Sequence, residues 1–108
     1  MKVMVVNNDD LIHSQLKEFL IRADKSINIK KASSYKDALE SFNNYSPDRV
    51  FLDLALYEEG IVRLLKRFKK QKPSVKVIFM VSSPSPLFKE RCLKIGADDF
   101  FEKSTLKS

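Results

Sequence analysis

Residues 3–10 read Val3-Met4-Val5-Val6-Asn7-Asn8-Asp9-Asp10. A short, wholly apolar run gives way at once to a polar cluster. The run suits a buried strand. The cluster suits a turn and a helix N-cap, because Asn and Asp side chains accept from free backbone N–H groups. Ile12, Leu16, Phe19 and Leu20 then follow at helical spacing. The chain therefore opens strand, turn, helix, and the alternation continues to its last residues.

Ile27 and Ile29 alternate with polar neighbours, as in a half-exposed strand. Ser34 is placed to cap a second helix, in which Tyr35, Ala38, Leu39 and Phe42 form one apolar stripe. Asn43-Asn44 and Pro47 are expected to end it. Val50-Phe51-Leu52 reads as the third strand, with Asp53 at its end. Glu58-Glu59 should open the next helix beside its positive N-terminus, and Ile61, Leu64, Leu65 and Phe68 are its buried stripe. Val75 to Val81 is a fourth strand, covered on both faces. Ser85-Pro86 reads as N-cap and first helical residue, with Phe88, Cys92 and Ile95 on one face and Gly96 as C-cap. Phe100-Phe101 is a short fifth strand. Helical connectors between strands imply right-handed crossovers and a parallel sheet with helices on both faces, an α/β domain over residues 1–108.

Composition narrows the function classes. With 108 residues, 44% hydrophobic and 31% charged, the chain suits one soluble domain with an ordinary core. Two glycines exclude glycine-rich phosphate loops, and one cysteine excludes an internal disulfide and a multi-cysteine zinc site. His13 stands off the Ile12/Leu16 stripe and is expected in solvent with no catalytic role. Cys92 reads as a small core residue. No apolar run approaches the ~20 residues of a membrane span, so a cytoplasmic protein is expected. The net charge of +6 is matched by Arg63, Lys66, Arg67, Lys69, Lys70 and Lys72 alone. They form either a solvated helix end matched to its dipole or a patch for an acidic or nucleic-acid partner. Specific base reading is not expected.

In open parallel sheets, ligands bind beyond the carboxyl ends of the strands. There stand Asn7, Asn8 and Asp9, then Asp53, then Ser82 and Ser83, then Glu102 and Lys103. A carboxylate, a hydroxyl, an ammonium and hard oxygen ligands suit Mg²⁺ and a phosphoryl group.

These residues carry a resemblance. Asp53-Leu54-Ala55-Leu56, after Pro47-Asp48 and a strand, is similar to the phospho-acceptor segment of response-regulator receiver domains of two-component signalling. Val77 to Ser83 resembles the strand that ends in that family's Ser/Thr, and Gly96-Ala97-Asp98-Asp99-Phe100-Phe101-Glu102-Lys103 its G-A-D-D-[YF]-x-x-K motif. The resemblance runs from Lys2 to Lys103 and implies a flavodoxin-like, doubly wound five-stranded parallel sheet of order 2-1-3-4-5. It implies that Asp53 accepts a phosphoryl group from a histidine kinase or phosphotransfer protein, and that Ser82 and Lys103 hold that group. It further implies that Ser82 and Phe100 switch conformation for an effector domain or downstream protein. The metal ligands it implies are Asp53, Asn8, Asp9, the carbonyl of Ala55 and, through water, Asn7. The domain itself is not expected to be an enzyme.

The chain also departs from the family. Asn7 and Asn8 stand where an acidic pair belongs, so Mg²⁺ should bind weakly or not at all. Tyr57 replaces a proline, Gly60 arrives one residue early, and Ser104 replaces the proline after the lysine. The fifth helix is missing or truncated. Two readings follow: a working receiver, or a pseudo-receiver that keeps the fold as an interaction module. A basic adaptor on the same fold is a third.

Overall fold

The apolar runs lie side by side, and each segment of helical spacing folds back over them. The computed structural model describes residues 1–55, 60–82 and 85–106. In chain order these form β1 (Lys2–Val6), α1 (Asp10–Ala23), β2 (Asn28–Ala32), α2 (Tyr35–Tyr45), β3 (Arg49–Asp53), α3 (Gly60–Gln71), β4 (Lys76–Val81), α4 (Pro86–Ile95) and β5 (Asp99–Glu102). A 3-10 turn over Lys103–Leu106 follows, where the family would begin its fifth helix. The five strands form one sheet in the order β2-β1-β3-β4-β5, every pair parallel, as expected.

The helix starts follow the sequence. Asp9 caps α1, its carboxylate accepting from the amides of Leu11 and Ile12. Ser34 and Ser85 cap α2 and α4 through their hydroxyls, and Pro86 opens α4. The expected opening of α3 at Glu58-Glu59 lies outside the described residues. Helix α2 runs past Asn43 and Asn44 to Tyr45. The Tyr45 hydroxyl donates to the carbonyl of Asn28 at 2.7 Å, and Ser46 ends the helix with a φ of 49°. A tertiary tie outweighs two weak helix formers there.

The sheet separates two apolar layers. On one side Leu52, Val77 and Phe79 meet Ala38 and Phe42 of α2, Leu64, Leu65 and Phe68 of α3, and Cys92 of α4. Phe42 and Phe68 stack with centroids 4.2 Å apart. On the other side Val3, Val5, Phe51 and Met80 pack with Leu16 of α1 and Leu106 of the C-terminal turn. Leu106 thus gives this face a cover that the sequence did not suggest. Two apolar residues depart from expectation: Phe88 and Ile95 of α4 are 39% and 40% exposed. Only Cys92 of that stripe is buried. Helix α4 covers the edge of the sheet, so a narrow strip of it finds a partner. Among the described residues no helix is long and apolar enough to cross a membrane.

Candidate functional site

Parallel pairing brings the carboxyl ends of β1 and β3 together, with Val6 opposite Leu52. Asp53 closes β3 with its side chain buried, 5% exposed. Three donors converge on its carboxylate. The Lys103 ammonium lies 2.7 Å from Oδ1. The backbone N–H of Ala55 donates to the same oxygen at 2.9 Å, and Nδ2 of Asn7 donates to Oδ2 at 2.5 Å. A buried carboxylate needs such partners, because an uncompensated charge away from water is costly.

Asn7 is itself buried, 1% exposed, directly after β1. Its backbone N–H prolongs the ladder to the carbonyl of Ala32 at 3.0 Å. Its Oδ1 accepts from the backbone N–H of Asp9 at 2.6 Å. That contact fixes which way the amide faces: an oxygen toward an N–H leaves the NH₂ toward the carboxylate. The sequence placed Asn7 among weak metal ligands and missed this donor role. The signal was present in its position directly after the buried apolar run Val3 to Val6.

The other expected site residues are distributed differently. Asn8 is exposed. Asp9 has its carboxylate turned to the start of α1. Ser82 directly follows β4 and is exposed; among the described residues it makes no bond to Asp53. Phe100, half-buried in β5, carries the Lys89 ammonium over its ring at 4.7 Å. Lys89 also pairs with Glu102 at 2.9 Å, tying α4 to β5. Ser83 and Tyr57 lie outside the described residues.

The sequence of residues 3–108 matches the family model described as the response regulator receiver domain. The chain belongs to the response regulator receiver family. The receiver is 28% identical over 102 residues to the sensory transduction protein BceR of Halalkalibacterium halodurans, covering 94% of this chain and 43% of that protein. The chain spans about half the length of the curated relatives it matches, or less. Among solved structures it is similar to the signal receiver domain of a DNA-binding response regulator from Colwellia psychrerythraea. That match has a TM-score of 0.83 at 24% identity and covers 96% of this chain and 86% of the other. It is also similar to the receiver domain of Ssk1 from Saccharomyces cerevisiae, solved with the histidine phosphotransfer protein Ypd1. There the TM-score is 0.76 at 22% identity, over 95% of this chain and 78% of the other.

Members of the family bind Mg²⁺ at an acidic pocket, and this receiver's donor set fits that ion poorly. Both oxygens of Asp53 accept hydrogen bonds or an ion pair, and Asn7 offers the carboxylate an N–H rather than an oxygen. Among the described residues no three His, Cys, Asp or Glu side chains cluster to hold a metal. A dication beside Asp53 would have to displace the Asn7 amide or turn it over.

The receiver's G-A-D-D motif has a structural use. Oδ2 of Asp98 accepts from the backbone N–H of Val77 at 2.8 Å and also pairs with the Lys69 ammonium. It therefore joins α3, β4 and the start of β5. Burial pushes the Asp98 carboxyl up, but the Lys69 hydrogen bond and the Val77 amide outweigh it and hold the group below the usual carboxylate range.

Proposed function

We propose that this receiver accepts a phosphoryl group on Asp53 from a histidine kinase or phosphotransfer protein in the cytoplasm, as one domain over residues 1–108. The supporting observation is the convergence of Asn7, Ala55 and Lys103 on one buried carboxylate. A pocket lined by donors favours whatever negative charge develops in it. In the transfer, an Asp53 oxygen attacks phosphorus, the bond to the donor's leaving group breaks, and the electron pair leaves with that group. Lys103 then moves from carboxylate to phosphoryl oxygens, which carry more charge. The amide of Ala55 stays at hand as a fixed dipole, and Asn7 supplies a neutral N–H where a carboxylate would repel the incoming group. Ser82 turns inward to the phosphoryl group, and Phe100 follows it. The structure of Ssk1 with Ypd1 supports a phosphotransfer protein as the class of partner. No step in this account is routed through a metal, and a weak site at Asp53, Asn8, Asp9, the Ala55 carbonyl and Asn7 would only assist.

The hydrogen bond from Asn7 to Asp53 also favours a second reading. An Asp53 satisfied on both oxygens is stable as it stands, and a pseudo-receiver needs nothing more from it. Amide NMR with beryllofluoride, a mimic of an aspartyl phosphoryl group, separates the two. Shifts at Asp53, Ser82 and Lys103 that spread to Phe100 support acceptance. A folded spectrum that does not change, with or without Mg²⁺, supports the pseudo-receiver.

A further inference from the structure

Among the described residues, helices α3 and α4 do not close over the sheet between them. They leave a cavity of about 270 Å³, floored by Phe79 and walled by Ile61 and Val62 of α3 and by Phe88, Cys92 and Ile95 of α4. That volume lies below the ~300–1,000 Å³ of typical small-molecule sites, and its lining is apolar. It suits one or two inserted apolar side chains rather than a whole cofactor. Phe88 and Ile95, at its mouth, account for the two departures of α4 from a buried stripe.

Among the described residues one exposed cation flanks the apolar lining on each helix. On α3, Lys66 stands one helical turn beyond Val62, and with Arg63, Arg67 and Lys70 it forms an exposed stripe opposite the buried one. On α4, Arg91 stands between Phe88 and Ile95 on the same stripe and is exposed. The nearby cations Lys69 and Lys72 are matched by Asp98 and Asp48. Among the described residues Arg63, Lys66, Arg67, Lys70 and Arg91 have no acidic partner. An apolar slot flanked by the unpaired Lys66 and Arg91, with further unpaired cations on the outer face of α3, calls for an occupant with apolar anchors and acidic flanks.

We infer that the α3–α4 groove docks an acidic amphipathic helix of a partner protein, its apolar stripe entering between Val62, Phe88 and Ile95 and its carboxylates meeting Lys66 and Arg91. Such a helix in a groove uses anchors at i and i+3 or i+4, which matches the one or two side chains the cavity can take. A second copy of this chain is the wrong occupant, because face-to-face contact would set Lys66 and Arg91 of one copy against those of the other on chains of net charge +6. A nucleic acid would satisfy the α3 stripe and leave the apolar slot unfilled. The inference is independent of phosphoryl acceptance at Asp53, and it is tested on the unmodified chain.

The probe is a labelled peptide of about 16 residues, roughly four helical turns, with a Leu/Phe stripe flanked by Glu. The expected result is saturable binding that weakens with salt, with amide shifts on Val62, Lys66, Phe88 and Ile95 and slower alkylation of Cys92. A scrambled peptide of the same composition should not bind. The exposed double variant K66E/R91E should bind roughly tenfold more weakly. The inference is overturned if the scrambled peptide binds equally well, or if no binding is seen. It also fails if a single-stranded oligonucleotide binds more tightly than the peptide, or if Cys92 is protected by raising the protein concentration alone. Shift mapping on the native chain decides the matter even if the double variant folds poorly.

Discussion

Asn7 and Asp53 meet through an N–H and a carboxylate oxygen 2.5 Å apart, both side chains buried at the ends of neighbouring strands. That single amide changes the character of the pocket. Where an acidic residue would add charge and call for a cation, Asn7 adds a donor. Charge on Asp53 is balanced from within the chain by Lys103.

Asn7→Asp places a second carboxylate against Asp53 Oδ2, and the chain should lose about 1–3 kcal/mol in metal-free buffer. Mg²⁺ should restore much of the loss and raise the melting temperature more than it does for the native chain. Asn8→Asp, at an exposed position, should leave metal-free stability nearly unchanged while strengthening Mg²⁺ binding. Thermal melts across a Mg²⁺ titration check both variants.

Lys103 and Asp53 form a pair whose side chains are 16% and 6% exposed. Removing one partner leaves the other charge buried without its counter-charge. Lys103→Met should therefore cost about 3–5 kcal/mol. The double variant D53N/K103M should cost clearly less than K103M, because no unpaired charge remains. Urea unfolding of the three variants gives this coupling directly.

His13 is expected to make stability depend on pH. Contrary to the sequence reading, it is half-buried, and among the described residues its Nδ1 is buried without a hydrogen-bond partner. Burial first, then Lys31 and Lys17, push its pKa below the ordinary 6.5, while Asp10 opposes them. The unfolded chain then takes up a proton that the folded chain resists. The contribution is fully present above pH 6.5 and is lost as pH falls below it toward the folded value. Melting temperature should drop from pH 7.5 to pH 5.5, and His13→Gln should flatten that slope.

Gly96 ends α4 with a φ of 122°. A Cβ there would meet Leu65 only at an ordinary 3.7 Å, so space does not demand glycine but the backbone does. Gly96→Ala should destabilise the chain by about 1 kcal/mol, read as a lower denaturation midpoint without a change in slope.

Much of this architecture was legible in the sequence because its signals are local. Val3 to Val6, Val50 to Leu52 and Val77 to Val81 are apolar runs closed by polar turns, and Ser34 and Ser85 stand at helix starts. Lys103 and Asp53 were placed by motif and do meet. The exposure of Phe88 and Ile95 was not legible, since it depends on what α4 finds at the sheet edge. Nor was the burial of Leu106, which lies in a turn with no periodicity to read. The role of Asn7 escaped for a different reason. An amide can ligate through oxygen or donate through nitrogen, and only the Asp9 N–H on one side and the Asp53 carboxylate on the other decide between them.

Phosphoryl acceptance at Asp53 is tested most directly by incubating the chain with a small-molecule phosphoryl donor and measuring intact mass. The account predicts the gain of one phosphoryl group on the native chain and none on Asp53→Asn, with only a shallow dependence on Mg²⁺. No mass gain, under conditions that fully modify a receiver with an intact acidic pair, would contradict it and leave Asp53 as a structural carboxylate.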